Sequence, residues 1–273
     1  MSETTRPADW MRRSQIEGLV ALVVGGGSGI GAASATSYAA NGGAVMVADL
    51  DGDHAREVAQ GIQASGGKAS FVHADAGSRE SLARAVDATV AEHGRLDTVI
   101  CTAAYVRPAP LESITAENWQ TSFRVNVEGA LHLGQLALPH LRQSPAASIV
   151  LIGSLGGVFG RPNGGGYGPS KAALIALTYQ MGMEWAQYGV RVNAVNPGTI
   201  DTPMSRANST PEDRASRAAA IPARRLGDPA EVADAVVFLA SPAASYITAQ
   251  TLNVDGGHSQ SLLFAPLGGV GSQ

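Results

Sequence analysis

The chain has 273 residues, 45% of them hydrophobic and 15% charged, with a formal net charge of −4. This composition suits a globular protein, and the length fits one α/β domain with a full core. The acidic balance argues against nucleic acid as the main partner, no apolar run approaches the ~20 residues of a membrane span, and a single cysteine, Cys101, excludes an internal disulfide.

Residues 1–15, which include Arg6, Arg12 and Arg13, read as a polar N-terminal arm. The apolar run 19–24 is too short for a signal segment and reads as a strand. It leads directly into a turn containing Gly25, Ser28, Gly29, Ile30 and Gly31, then a helical pattern at 29–41. Further strands are predicted at 44–48, 69–73, 98–101, 148–152, 191–195 and 251–254. Most are apolar on both faces, as in a parallel sheet covered by helices. Helices are predicted between them at 52–65, 79–93, 116–141, 168–188 and 229–240. The alternation predicts a single-domain α/β Rossmann fold over 16–257, a doubly wound parallel sheet of about seven strands. Asp228-Pro229 reads as a helix N-cap followed by a first-turn proline.

Three segments carry less pattern. Cys101 sits inside an apolar strand and reads as a buried, inert thiol, which suits a reducing cytoplasm. The stretch 203–225 is rich in Arg, Ala, Ser and Pro and has no strong apolar stripe, so it is either a lid or a solvated connection. The tail 258–273 contains an apolar run at 262–267, which either packs on its own domain or docks on a neighbouring subunit.

Chemistry is carried by three features. Tyr167 and Lys171 lie four residues apart, on one face of a helix. An isolated phenol is a poor base at neutral pH, and a nearby ammonium favours its phenolate. Such a pair takes a proton from an alcohol or gives one to a carbonyl. The glycine turn follows the first strand of a βαβ series and opens a helix, the context of a pyrophosphate cradle. Asp49 closes the second strand, where a carboxylate accepts hydrogen bonds from ribose hydroxyls and repels a 2′-phosphate. This predicts NAD rather than NADP; the alternative role for Asp49 is capping the next helix. The six histidines show no metal-ligand spacing, so no metal is expected.

Together these residues resemble the classical short-chain dehydrogenase/reductase family from about residue 17 to 257. The family's nucleotide motif begins with Thr; Val24 stands there, while Gly25, Gly29 and Gly31 match. A second departure is Cys101-Thr102-Ala103-Ala104, where the family usually reads Asn-Asn-Ala-Gly. The resemblance implies a catalytic set of Asn126, Ser154, Tyr167 and Lys171: Ser154 holds the substrate oxygen, Tyr167 is the acid or base, Lys171 lowers its pKa, and Asn126 holds a relay water. It implies cofactor contacts from Gly25, Ser28, Gly29, Ile30, Gly31, Asp49, Leu50, Asp75, Ala76, Thr102, Ala103, Ala104, Tyr167, Lys171, Pro197, Gly198, Ile200 and Thr202.

Enoyl reductases of this family use a longer Tyr–Lys interval, so the spacing favours alcohol and carbonyl chemistry. The expected activity is NAD-dependent interconversion of a secondary alcohol and a ketone, running as oxidation in the cell. The alternative is a non-catalytic nucleotide-binding or interaction protein on the same scaffold. Candidate substrate-pocket residues are Tyr105, Gly156, Phe159, Arg161 and Met204, with Arg161 either an anion anchor or a solvated surface charge. The family pairs its long helices across two-fold axes, so the expected assembly is a cytoplasmic homotetramer, with a dimer next. Leu131, Leu133, Leu136, Leu138, Leu174, Ile175, Leu177 and Met181 are the apolar residues expected to contribute.

Overall fold

The computed structural model describes residues 16–207 and 209–261; the expected arm at 1–15 and the apolar tail from 262 lie outside them. Seven strands form one sheet: β1 (Val20–Val24), β2 (Ala44–Asp49), β3 (Lys68–His73), β4 (Thr98–Cys101), β5 (Ser148–Ile152), β6 (Arg191–Pro197) and β7 (Gln250–Val254). Their order is β3-β2-β1-β4-β5-β6-β7, and every neighbouring pair is parallel. Parallel neighbours require crossovers, and the chain supplies helices for them. These are α1 (Gly29–Ala40), α2 (Gly52–Ala64), α3 (Arg79–His93), α4 (Ala116–Phe123), α5 (Gly129–Leu141), the one-turn α6 (Leu155–Val158), α7 (Tyr167–Trp185), α8 (Pro203–Ala207), α9 (Pro211–Ala220) and α10 (Pro229–Ala240).

The near-continuous apolar runs have their cause in double coverage. β1, β4, β5 and β6 are buried along their whole length, whereas the edge strand β3 is only partly covered. Alternate residues of β1 serve opposite faces. Leu22 and Val24 join Leu82, Leu133 and Leu174 on one side. Ala21 and Val23 join Tyr38, Ile62 and Val236 on the other. Each face therefore loses its apolar surface from water, at roughly 25 cal/mol per Å².

The helix expected at 116–141 is interrupted. A π turn, Arg124–Glu128, separates α4 from α5 and carries Asn126. One extra residue in a helical turn shifts the side chains that follow, and such turns recur at functional sites. The weakly patterned stretch at 203–225 contains α8 and α9. α9 starts with a capping box in which Thr210 accepts from the Asp213 backbone and Asp213 from that of Thr210, with Pro211 in the first turn. Asp228 caps α10 ahead of Pro229, as expected.

Four residues expected to face a partner subunit are instead core. Leu133, Leu174, Ile175 and Met181 are buried against the chain's own sheet. Leu136, Leu138 and Leu177 are half-buried against the same core. The large apolar side chains that α7 leaves exposed are Tyr179 and Met183.

Candidate active site

The strand order reverses between β1 and β4, because the chain first builds outward to β3 and then returns to β1's other side. Crevices at the carboxyl ends of such strands are where doubly wound sheets bind ligands. A cavity of about 370 Å³ opens here. Its wall includes Gly25, Ser28, Gly29, Ile30, Gly31, Asp49, Leu50, Asp75, Ala76, Thr102, Ala103, Ala104, Tyr167, Lys171 and Thr202, all expected for the cofactor. Tyr105 and Met204, expected for the substrate, also line it. Pro197, Gly198 and Ile200 do not; they line an adjoining cavity of about 200 Å³ that shares Ile30, Ile152, Tyr167, Thr202 and Met204 with the first.

The glycine turn is built for close approach. Gly25 has φ +84°, and a Cβ there would lie 2.5 Å from the Ala103 nitrogen. A Cβ on Gly31 would collide with the Gly25 carbonyl. The hydroxyl missing at Val24 has a substitute. Thr102 Oγ1 lies 2.8 Å from the Gly25 carbonyl and 3.1 Å from that of Val24, so it braces the turn from β4. The departure at 101–104 thus replaces one bracing side chain by another.

Asp49 closes β2 with both carboxylate oxygens engaged. Oδ2 accepts from the Gly27 N–H at 2.8 Å and Oδ1 from that of Asp51 at 2.9 Å. It does not cap the following helix; Asp51 does, accepting from Asp53 and His54. Asp49 is therefore left facing the cavity, tied to the glycine turn. Asp75 is held similarly, accepting from Gly77 at 2.7 Å. A bare glycine cradle, a helix N-terminus behind it and a carboxylate at one end fit a dinucleotide.

At the other end, Ser154 follows β5 in extended conformation and accepts from the Gly156 N–H at 3.0 Å. Tyr167 opens α7 and shares a cavity wall with Ser154. Burial raises the Tyr167 pKa above that of an ordinary phenol; the Ser154 hydrogen bond and the Arg161 charge oppose this. Lys171, 1% exposed, lies one turn along. Its Nζ is 5.8 Å from the Tyr167 ring centre and donates to the Ile152 carbonyl at 2.6 Å. Burial pulls the Lys171 pKa down to about 8. Lys171 thus donates to a carbonyl of β5 while its charge stays near the phenol, on which Ser154 and Arg161 also act.

Asn126, 2% exposed, has its amide fully committed. Its Oδ1 accepts from the Tyr105 N–H at 2.7 Å; its Nδ2 donates to the Tyr105 carbonyl at 3.1 Å and Ser170 Oγ at 2.9 Å. It thereby clamps the segment after β4 to α7. Both Nδ2 hydrogens are taken, so a water held by Asn126 would donate to it, at Oδ1 or at the main-chain carbonyl.

Gly156, Phe159 and Arg161 line a further cavity of about 550 Å³ together with Ser154. This cavity also holds residues that sequence reasoning missed, above all Arg217 on α9 and His258. The only sequence signal for Arg217 was the arginine content of a stretch without strong apolar periodicity. Among the described residues, no group of His, Cys, Asp and Glu side chains is arranged to hold a metal ion, and no helix is long and apolar enough to cross a membrane.

Known proteins share this arrangement. Residues 24–259 match a family model described as enoyl-(acyl carrier protein) reductase. A cis-4-hydroxycyclohexanecarboxylate dehydrogenase of Sinomonas cyclohexanicum is 37% identical, over 88% of this chain and 96% of its own. The 2,5-dichloro-2,5-cyclohexadiene-1,4-diol dehydrogenase LinX of Sphingobium indicum is also 37% identical, over 90% of this chain and 98% of its own. A solved 7α-hydroxysteroid dehydrogenase, complexed with NADH and 7-oxo glycochenodeoxycholic acid, superposes with a TM-score of 0.86 at 32% identity, covering 90% of this chain and 96% of that one. With Tyr167 and Lys171 in one crevice with the glycine cradle and Ser154 in the cavity beside it, the chain belongs to the classical short-chain dehydrogenase/reductase family of oxidoreductases.

Proposed function

We propose that this protein is an NAD-dependent dehydrogenase that interconverts a ring-borne secondary alcohol and its ketone, with Tyr167 as acid and base. The observation that carries this is one crevice with Asp49 at one end and Tyr167 and Lys171 at the other, where Tyr167 also lines the adjoining cavity with Ser154. Relatives that are by name dehydrogenases of cyclohexane, cyclohexadiene and steroid alcohols support the substrate class. The family model's description names enoyl reduction, but the four-residue Tyr167–Lys171 interval favours alcohols.

Ser154 holds the substrate oxygen, and Tyr167 takes the hydroxyl proton on oxidation or returns it on reduction. Lys171 holds the nicotinamide ribose, and its charge and that of Arg161 favour the phenolate. Asn126 positions the water that carries the proton outward from Lys171. Gly25, Gly29, Gly31 and Thr102 hold the pyrophosphate turn. Nicotinamide, when bound, supplies the hydride acceptor for the alcohol and the donor for the ketone.

Asp49 sets the cofactor. Forcing a 2′-phosphate against a carboxylate costs several kcal/mol, conservatively about 2 to 3. Calorimetric titration should give wild-type protein that prefers NAD by roughly 30-fold or more, and Asp49→Ala that narrows this gap. Equal wild-type affinity for NAD and NADP would refute the assignment. Turnover of cyclic secondary alcohols, followed at the reduced-nicotinamide absorbance, tests the activity itself.

A further inference from the structure

The two cavities beside Ser154 differ in charge from the cofactor crevice. That crevice carries Asp49 and Asp75 at its adenosine end. The adjoining spaces, of about 550 and 200 Å³, both have Arg161 and Arg217 in their walls, and neither has an Asp or a Glu. The remaining lining is largely apolar, including Leu155, Phe159 and Pro197 in the larger space and Val106, Pro108 and Met204 in the smaller.

The two arginines are not balanced from elsewhere. Among the described residues neither is in an ion pair. Asp213, one turn back on α9, senses Arg217 but is not paired with it. Their neighbours behave differently: Arg206 is bidentate on Asp201 and Arg225 on Glu231. Arg161 acts electrostatically on Tyr167, which places its charge within reach of the reacting end. Arg217, on α9, is half-buried and Arg161 is exposed, and both line the two spaces. Guanidinium groups left unpaired at the wall of an apolar pocket suit a planar anion, which each can meet with two parallel hydrogen bonds.

Building on the dehydrogenase reading above, we propose that the substrate carries a carboxylate on the side of the ring away from the reacting hydroxyl, and that Arg161 and Arg217 together bind it. The apolar wall takes the ring between the two ends.

The test compares hydroxycyclohexanecarboxylate isomers with their methyl esters and with cyclohexanol. It also titrates cyclohexanecarboxylate, which cannot react, into the protein with and without NADH. A charge-assisted contact is worth a factor of roughly 10 to 100, so wild-type kcat/KM should favour acid over ester by that factor. Arg217→Met and Arg161→Met should bring the acid-to-ester ratio towards one and weaken cyclohexanecarboxylate binding at least tenfold, and Arg217→Lys should restore part of both. Raised ionic strength should increase KM for the acid and not for the ester. Equal turnover of acid and ester by wild type would overturn the anion site and leave the dehydrogenase reading standing. Arginine-dependent binding of cyclohexanecarboxylate without turnover of any alcohol would keep the site and refute the dehydrogenase. Neither binding nor turnover would refute both.

Discussion

Tyr167, the proposed acid and base, sits in a setting that works against that role. Burial holds the phenol protonated, while the Ser154 hydrogen bond and the Arg161 charge pull the other way. Removing only its oxygen in Tyr167→Phe should leave the fold and dinucleotide affinity intact and lower kcat by roughly 10² or more. Near-normal turnover of an identified alcohol by that variant would exclude Tyr167 as acid and base. Lys171 gives a separate test, in stability. Its folded pKa of about 8 lies below the ordinary lysine value of 10.5. Between these two, the unfolded chain binds more protons than the folded one, so stability attributable to this residue rises with pH. Below that window both states are charged and burial of the ammonium costs about 3 kcal/mol; above it both are neutral and the cost is gone. The Tm of wild type should therefore rise relative to Lys171→Met as pH goes from about 8 to about 10, in scanning calorimetry of both proteins. A difference that stays flat would mean that Lys171 is not desolvated as described.

Among the elements, the glycine turn and β4 depend on one another. Thr102→Val keeps the shape of the side chain and removes the hydroxyl that braces the carbonyls of Val24 and Gly25. The variant should lose about 1 kcal/mol, lower Tm by roughly 2 to 4 °C, and bind NAD about fivefold more weakly. Unchanged affinity would show that the turn holds its shape without β4. Much of this was legible in the sequence, because the turn and the Tyr167–Lys171 pair depend on short spacings within one strand, turn or helix. Thr102 was visible as a departure but not as a brace, since its partners are 77 and 78 residues away. The π turn around Asn126 was hidden for a different reason. One residue inserted in a helical run barely disturbs the apolar period, so 116–141 read as continuous. Arg217 could not be assigned because tertiary placement of α9, rather than local pattern, brings it to the pocket.

At the level of the whole molecule, the apolar surface on α7 asks for a partner. Tyr179 is 40% and Met183 69% exposed on one side of a helix whose other side is core. Tyr179 touches β7 through its hydroxyl, 3.4 Å from Thr251 Oγ1, but much of both side chains stays open in a single copy, and a self-complementary contact between two α7 helices would cover them. The proposed assembly is a homotetramer built from such two-fold contacts. Light scattering at micromolar concentration should report about four times the 27.9 kDa chain mass, and Met183→Glu should lower it. A single species at the chain mass would overturn the proposal.

The walls around Ser154 come mostly from α6, the turn that carries Arg161, α9 and the loops after β6 and β7, and the sheet itself enters them only at Pro197, the end of β6. Their pocket-facing side chains can therefore be exchanged without touching either of the two cores. Gly25, Thr102 and Lys171 have no such freedom, because each is tied to strand backbone by contact or hydrogen bond. Under selection, the lineage of this protein is thus free to change what it oxidises while its way of oxidising stays put. Divergence among its descendants should accumulate at positions such as Phe159 and Arg217 and spare the carboxyl ends of the strands.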